Sequence, residues 1–169
     1  MDNLANLPLT ANFSKTALAA GTTTTFTTTG ATIYSIRGQM YSTAAGTNAA
    51  TPTLDANTGL AFKPVPPNYG SVFVVCYDGQ AAAANAIKVV QGTIEALNGV
   101  ASGANAAFAG ALPQFPTIPK HLCPVAYIVT KVGASGAAWT FGASNLAGPP
   151  SNVLHTFVDV ATLPDRRPS

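Results

Sequence analysis

The side chains that could do chemistry are few and widely spaced in this sequence of 169 residues. A hydrolytic site needs a base, a nucleophile and an orienting acid. The sequence offers His121 or His155 as the base, Cys123 or Ser151 as the nucleophile, and Asp159 or Asp165 as the acid. No catalytic signature flanks any of these residues, and no Gly-x-Ser-x-Gly motif is present. We therefore interpret the histidines as strand-end residues with ordinary hydrogen bonds.

Metal binding and acid–base catalysis have equally little support in the sequence. His121-x-Cys123 is the only close pair of metal-ligating residue types, and no second pair lies at ligand spacing. Glu95 is the sole glutamate, and Asp55 and Asp78 precede turn-type glycines, where an aspartate usually caps its own turn. We expect no enzyme activity, no metal and no other cofactor.

Composition excludes several other classes of protein. Only 8% of the residues are charged, against about 25% in ordinary domains, and 47% are hydrophobic. A disordered chain would be less hydrophobic and more charged, and a nucleic-acid binder would have a basic cluster larger than Arg166-Arg167. The apolar runs are too short for a spanning helix. We expect no nucleic-acid or membrane partner, and a surface that is partly buried against other protein.

The cysteines are expected to be free thiols. The apolar run that follows Lys15 is too short for a signal peptide, so we expect no export signal. Cys76 and Cys123 each lie inside an apolar segment. In a reducing cytosol such residues are usually buried thiols, and a disulfide would further require the two segments to be neighbours.

The apolar pattern predicts strands and no convincing helix. β-branched runs, two-residue alternation and continuous apolar segments mark them. The predicted strands are 22–29 (or an extended arm), 31–43 with a bulge at Gly38, 71–77 as a central strand, about 87–97, 122–132, 137–142 and 153–160. Such a series predicts an all-β protein, an antiparallel β-sandwich of jelly-roll or Greek-key type.

Between the strands lie long connections rich in proline and glycine. We predict a loop over 44–68, a loop over 101–111 and a polyproline-like segment over 113–119. The expected organisation is an extended N-terminal arm (1–29), a β-sandwich domain (30–162) and an extended C-terminal tail (163–169). A loop as long as 44–68 is typical of a functional or partner-bound segment.

Several stretches of the sequence resemble small head proteins of tailed bacteriophages, of the decoration or cement type. These stretches are 24–38 (TTFTTTGATIYSIRG), 113–119 (PQFPTIP), 123–127 (CPVAY), 139–142 (WTFG) and 159–166 (DVATLPDR). The resemblance implies a virion structural protein, made in the bacterial cytoplasm, that binds the outside of the expanded major capsid shell. There it would clamp neighbouring capsid subunits against the pressure of packaged DNA.

This hypothesis identifies the major capsid protein as the partner and suggests a homo-oligomer, a dimer or a trimer. The candidate contact residues are Phe13, Phe26, Phe62, Tyr69, Phe115, Arg166 and Arg167. The alternative is a receptor- or glycan-binding module of a head or tail fibre, since aromatic side chains such as Trp139 and Phe141 can form a sugar-stacking surface as well as a core.

Overall fold

The computed structural model describes residues 9–79 and 87–164. These residues contain strands and one short 3₁₀ helix, Gly103–Asn105, but no α-helix. The strands are β1 (Ala11–Asn12), β2 (Leu18–Ala20), β3 (Thr25–Thr28), β4 (Thr32–Ile36), β5 (Gln39–Thr43), β6 (Gly46–Ala50), β7 (Tyr69–Asp78), β8 (Ile87–Ala96), β9 (Leu122–Val132) and β10 (Val153–Asp159). All the pairings between them are antiparallel. The predicted all-β antiparallel architecture is confirmed, and the jelly-roll or Greek-key layout stays a prediction.

The four longest strands form one sheet in the order β10-β9-β7-β8. β7 pairs with a neighbour on each side, and its side chains from Gly70 to Tyr77 are buried. A strand that is covered on both faces needs apolar residues on both faces. This is why apolar and polar residues do not alternate along β7. The sequence-based predictions of a central strand at 71–77 and of strands near 87–97, 122–132 and 153–160 are confirmed.

The second layer is a meander of three long strands, and each of them is interrupted in the middle. The first long strand consists of β1 and β2, the second of β3 and β4, and the third of β5 and β6. The interruptions divide it into two small sheets, β1-β4-β5 and β2-β3-β6. The chain therefore crosses from one small sheet to the other three times.

The main core lies between the meander and the four-stranded sheet. Leu18, Phe26 and Ile36 from the meander pack with residues such as Val75 and Val125 of β7 and β9. Two groups of aromatic rings reinforce it, Tyr41-Tyr34-Tyr77 and Phe62-Phe73-Trp139-Phe141, with neighbouring centroids 5.0 to 6.0 Å apart. Ring pairs at these separations stabilise the fold by more than the burial of their apolar surface alone.

A smaller core covers the opposite face of the four-stranded sheet. Val74, Cys76, Val90 and Leu122 are buried there beneath apolar groups that include Phe115, Ile118 and Leu163. The proline-rich segment 113–119 forms no regular element, as expected, and it lies across the sheet. The approach is close at Gly92, where a Cβ atom would lie 2.2 Å from the carbonyl oxygen of Gln114.

The predicted N-terminal arm is wrong over its described part, residues 9–29. Leu18 and Phe26 are core residues, and β1, β2 and β3 are paired strands. The Nδ2 atom of Asn12 donates a hydrogen bond to the carbonyl oxygen of Val160 at 3.1 Å, and the carboxylate of Asp159 accepts from the backbone amides of Ala17 and Leu18. Residues 1–8 of the arm lie outside the described residues.

Other predicted segments also require correction. The single strand at 31–43 is a hairpin, because Arg37 and Gly38 both have positive φ (53° and 83°) and form a tight turn instead of a bulge. The loop at 44–68 contains β6. Residues 137–142 form no strand, since only an isolated bridge joins Trp139 to Val65. In the tail, Leu163 packs on the smaller core, and residues 165–169 lie outside the described residues.

The burial of the N-terminal segment predicts effects of different size for two substitutions in it. Leu18→Ala should lower the free energy of unfolding by about 2 to 4 kcal/mol, because it leaves a cavity in the main core. Phe13→Ala should change it by about 1 kcal/mol or less, because that ring is half exposed. Urea denaturation followed by circular dichroism measures both. Equal, small effects would mean that residues 9–29 are not part of the folded core.

Candidate functional site

Four large apolar side chains lie exposed on the outer side of the sheet β1-β4-β5. Leu9, Phe13, Ile33 and Met40 each expose between 46% and 57% of their surface. Because Tyr34 and Ile36 point into the main core, Ile33 points outward by strand alternation. Met40 pairs with Ser35, which lies on the same face of β4 as Ile33 although it is itself buried, and so Met40 lies on that side too. We call Leu9, Phe13, Ile33 and Met40 the meander face.

Backbone hydrogen bonds hold the meander face in place. The amide of Phe13 donates to the carbonyl oxygen of Ile33 at 2.8 Å, and the carbonyl oxygen of Leu9 accepts from the amide of Gly38 and the hydroxyl of Ser35. On the other side of β1, the amide of Asn12 donates to the carbonyl oxygen of Ala161. A group of exposed apolar side chains on a hydrogen-bonded sheet is a typical feature of a protein-binding surface.

The structure places the predicted contact residues in different environments. Phe13 lies on the meander face, and Tyr69, at the start of β7, is 38% exposed. Phe26 and Phe62 are only 2% and 3% exposed, so they are core residues and the prediction that they form surface contacts is wrong. Phe26 lies in the segment predicted as an arm and Phe62 in the predicted 44–68 loop, but tertiary packing buries both rings.

The other predicted contact residues, and the two aromatic residues of the sugar-stacking alternative, are not among the exposed residues that the structure describes. Phe115 is half-buried, and its ring packs edge-on against Tyr127 with the centroids 5.1 Å apart, so it mainly covers the smaller core. Arg166 and Arg167 lie outside the described residues. Trp139 and Phe141 are buried in the main core, which removes them from any sugar-stacking surface.

Sequence reasoning missed three of the four residues on the meander face. The alternation of 31–43 placed Met40 with Tyr34 and Ile36, but the turn at Arg37-Gly38 puts it on the opposite face of the sheet. Leu54 and Leu60 were also missed. They are 54% and 69% exposed on a loop whose turn is capped by the buried carboxylate of Asp55, as predicted for that residue.

The candidate catalytic residues are not assembled into a site. His121 is exposed in a turn, whereas Cys123 is buried. Ser151 is exposed in another turn, and the carboxylate of Asp159 binds the backbone of β2 and the residue before it. Asp165 lies outside the described residues. No described residues form a cluster of three or more metal-ligating side chains.

Both cysteines are buried free thiols, as expected. They lie on the paired strands β7 and β9, but Cys76 belongs to the smaller core and Cys123 to the main core, so they occupy opposite faces of the sheet. Burial raises the pKa of Cys123 to about 12 and also raises the pKa of Cys76. Since the thiolate is the reactive form, both thiols are unreactive at neutral pH.

His155 packs against the ring of Trp139, with the centroids 4.6 Å apart. Its Nδ1 atom lies 3.0 Å from the hydroxyl of Thr130. Burial lowers the pKa of His155 to about 4, and the backbone of Asn145 counters this effect in part. The imidazole is therefore neutral at physiological pH and contributes to packing.

Comparison with known proteins gives no relative for this chain. No protein-family model, curated protein or solved structure matches the sequence or the fold. Among the described residues, no helix is long and apolar enough to cross a membrane.

The lowered pKa of His155 predicts a loss of stability in acid. Unfolding restores an ordinary pKa near 6.5, so the unfolded chain binds the proton more tightly. The stability contributed by the neutral ring is complete above about pH 6.5, falls as the pH decreases, and is lost below about pH 4. The total loss should be about 3 kcal/mol.

Urea denaturation of the protein between pH 4 and pH 7 measures this loss. A His155→Gln variant should lose this part of the pH dependence, and a His121→Gln variant, changed at an exposed position, should keep it. An NMR titration of the folded protein supplies an independent check. A His155 ring that titrates near pH 6.5 would contradict the prediction.

Proposed function

We propose that this protein is a structural component of a bacteriophage virion that binds the outer surface of the expanded major capsid shell. There it clamps neighbouring capsid subunits against the pressure of packaged DNA, as a homo-oligomer. The observation that carries the proposal is the meander face, four large, uncharged, exposed side chains on a hydrogen-bonded sheet. The resemblance of the sequence to small head proteins supports the choice of partner.

The physical demands of capsid decoration agree with this surface. Apolar area that is removed from water contributes about 25 cal/mol per Å², and a lattice multiplies a modest contribution by the number of copies. A chain with only 8% charged residues loses little free energy through desolvation of charges when its surface is covered. Rigid strands also avoid the entropy cost of ordering a flexible arm at the moment of binding.

Co-sedimentation of the purified protein with expanded heads of its parent phage, stripped of accessory proteins, tests the proposal. The wild-type protein should saturate the heads at a fixed ratio to the major capsid protein. A Phe13→Ser/Met40→Ser variant should bind at least about tenfold more weakly, a change of about 1.4 kcal/mol, because it removes apolar area from the contact.

A Leu54→Ser/Leu60→Ser variant is the matched control, because it makes the same kind of change at exposed apolar positions outside the meander face. It should bind as the wild type does. Both variants must keep the wild-type unfolding midpoint. Absence of saturable binding by the wild-type protein would refute the proposed function, and equal binding by the two variants would refute the role of the meander face. Binding to a glycan array without binding to heads would favour the fibre module instead.

A further inference from the structure

A groove of about 480 Å³ lies at the end of the meander face, where the β4–β5 turn meets the end of the proline-rich segment. Arg37, in the turn, and Lys120, just before β9, are both exposed and both line it. Leu122, Ile118 and Leu163 supply its apolar part; the first is buried and the other two are half-buried. The groove therefore combines an apolar wall with two cations from different elements.

The charged side chains that line the groove, Arg37 and Lys120, are both positive. Within the described residues, no aspartate or glutamate lines it. A guanidinium group binds a carboxylate through two parallel hydrogen bonds, and an ammonium group adds a second point of positive charge. The complementary ligand must therefore carry negative charge as well as apolar groups, and an inorganic anion would leave the apolar wall unused.

The groove also lies beside the meander face, because residues that line it are neighbours in sequence or hydrogen-bond partners of residues on that face. Arg37 immediately precedes Gly38, whose amide donates to the carbonyl oxygen of Leu9 on that face, and the amide of Arg37 itself donates to the hydroxyl of groove-lining Thr10. A partner that covers Leu9 and Met40 thus lies next to the groove entrance. A single extended segment of that partner can reach both surfaces.

We propose that this groove binds an extended protein segment of the partner that carries alternating apolar and acidic side chains. Its carboxylates pair with Arg37 and Lys120, and its apolar side chains pack against Ile118 and Leu163. The identification of this segment as part of the capsid shell rests on the proposed function, whereas the chemistry of the segment follows from the groove.

Fluorescence anisotropy with short labelled peptides tests the groove on its own. The full-length protein should bind a peptide of alternating leucine and glutamate at least about tenfold more tightly than one in which lysine replaces glutamate. Raising the salt concentration should weaken the binding, because the paired charges are exposed and screened. Equal affinity for the two peptides, or no binding of the acidic one, would overturn the proposal.

Substitutions then locate the binding. Arg37→Ser/Lys120→Ser should weaken binding of the acidic peptide about tenfold. Lys63→Ser/Lys88→Ser removes the same charge outside the groove and should have a much smaller effect. Equal losses in the two variants would mean that net charge alone attracts the peptide, and would refute the groove as its site.

The head-binding experiment keeps the two proposals separate. Peptide binding in the groove without binding to heads would refute the capsid partner and leave the chemistry of the groove standing. Binding to heads that is unaffected by Arg37→Ser/Lys120→Ser, together with no binding of the acidic peptide, would refute the groove and leave the proposed function standing.

Discussion

The need to cover β7 on both faces determines how the rest of the chain is arranged. This strand is buried along almost its whole length, with Phe73, Val75 and Tyr77 on one face and Val74 and Cys76 on the other. A sheet with one solvated face needs only one covering layer, but this sheet needs two. The meander covers one face, and the proline-rich segment with Leu163 covers the other. The N-terminal segment and the proline-rich segment, which look like a free arm and a loop in the sequence, therefore pack on the two faces of the sheet.

The sequence predicts the four-stranded sheet well and the meander poorly, and the reason is physical. Continuous apolar runs such as 71–77 and 122–132 have few alternatives to a buried strand. The turn at Arg37-Gly38 has no Asn-Gly or Asp-Gly signature, because an arginine occupies the first left-handed position, so a hairpin looks like one strand. Phe26 lies in a threonine run and Phe62 among prolines, and only long-range packing with residues such as Phe73 reveals that both are buried.

The same limits apply to the candidate surface. A half-exposed leucine or methionine cannot be distinguished from a core residue by its type alone, since exposure depends on which face of a strand the register selects. Phe13 was predicted as a contact and lies on the meander face, but Leu9, Ile33 and Met40 follow only from the pairing of β1, β4 and β5. The groove beside them depends on residues from four separate parts of the chain, including Arg37, Lys120 and Leu163, which no local pattern connects.

The hydrogen bonds that join the segment of β1 and β2 to residues 159–161 also constrain the order in which these parts can form during synthesis. Asn12 binds the backbone at Val160, 148 residues later in the chain, and the carboxylate of Asp159 binds the amides of Ala17 and Leu18. The pairing of β4 with β5 is local in sequence and can form early, but β1 cannot gain its second neighbour until residue 161 has left the ribosome. The apolar side chains that flank β1 therefore lie on a segment whose hydrogen bonds depend on residues far along the chain, so the meander face is completed later than the β4–β5 hairpin beside it.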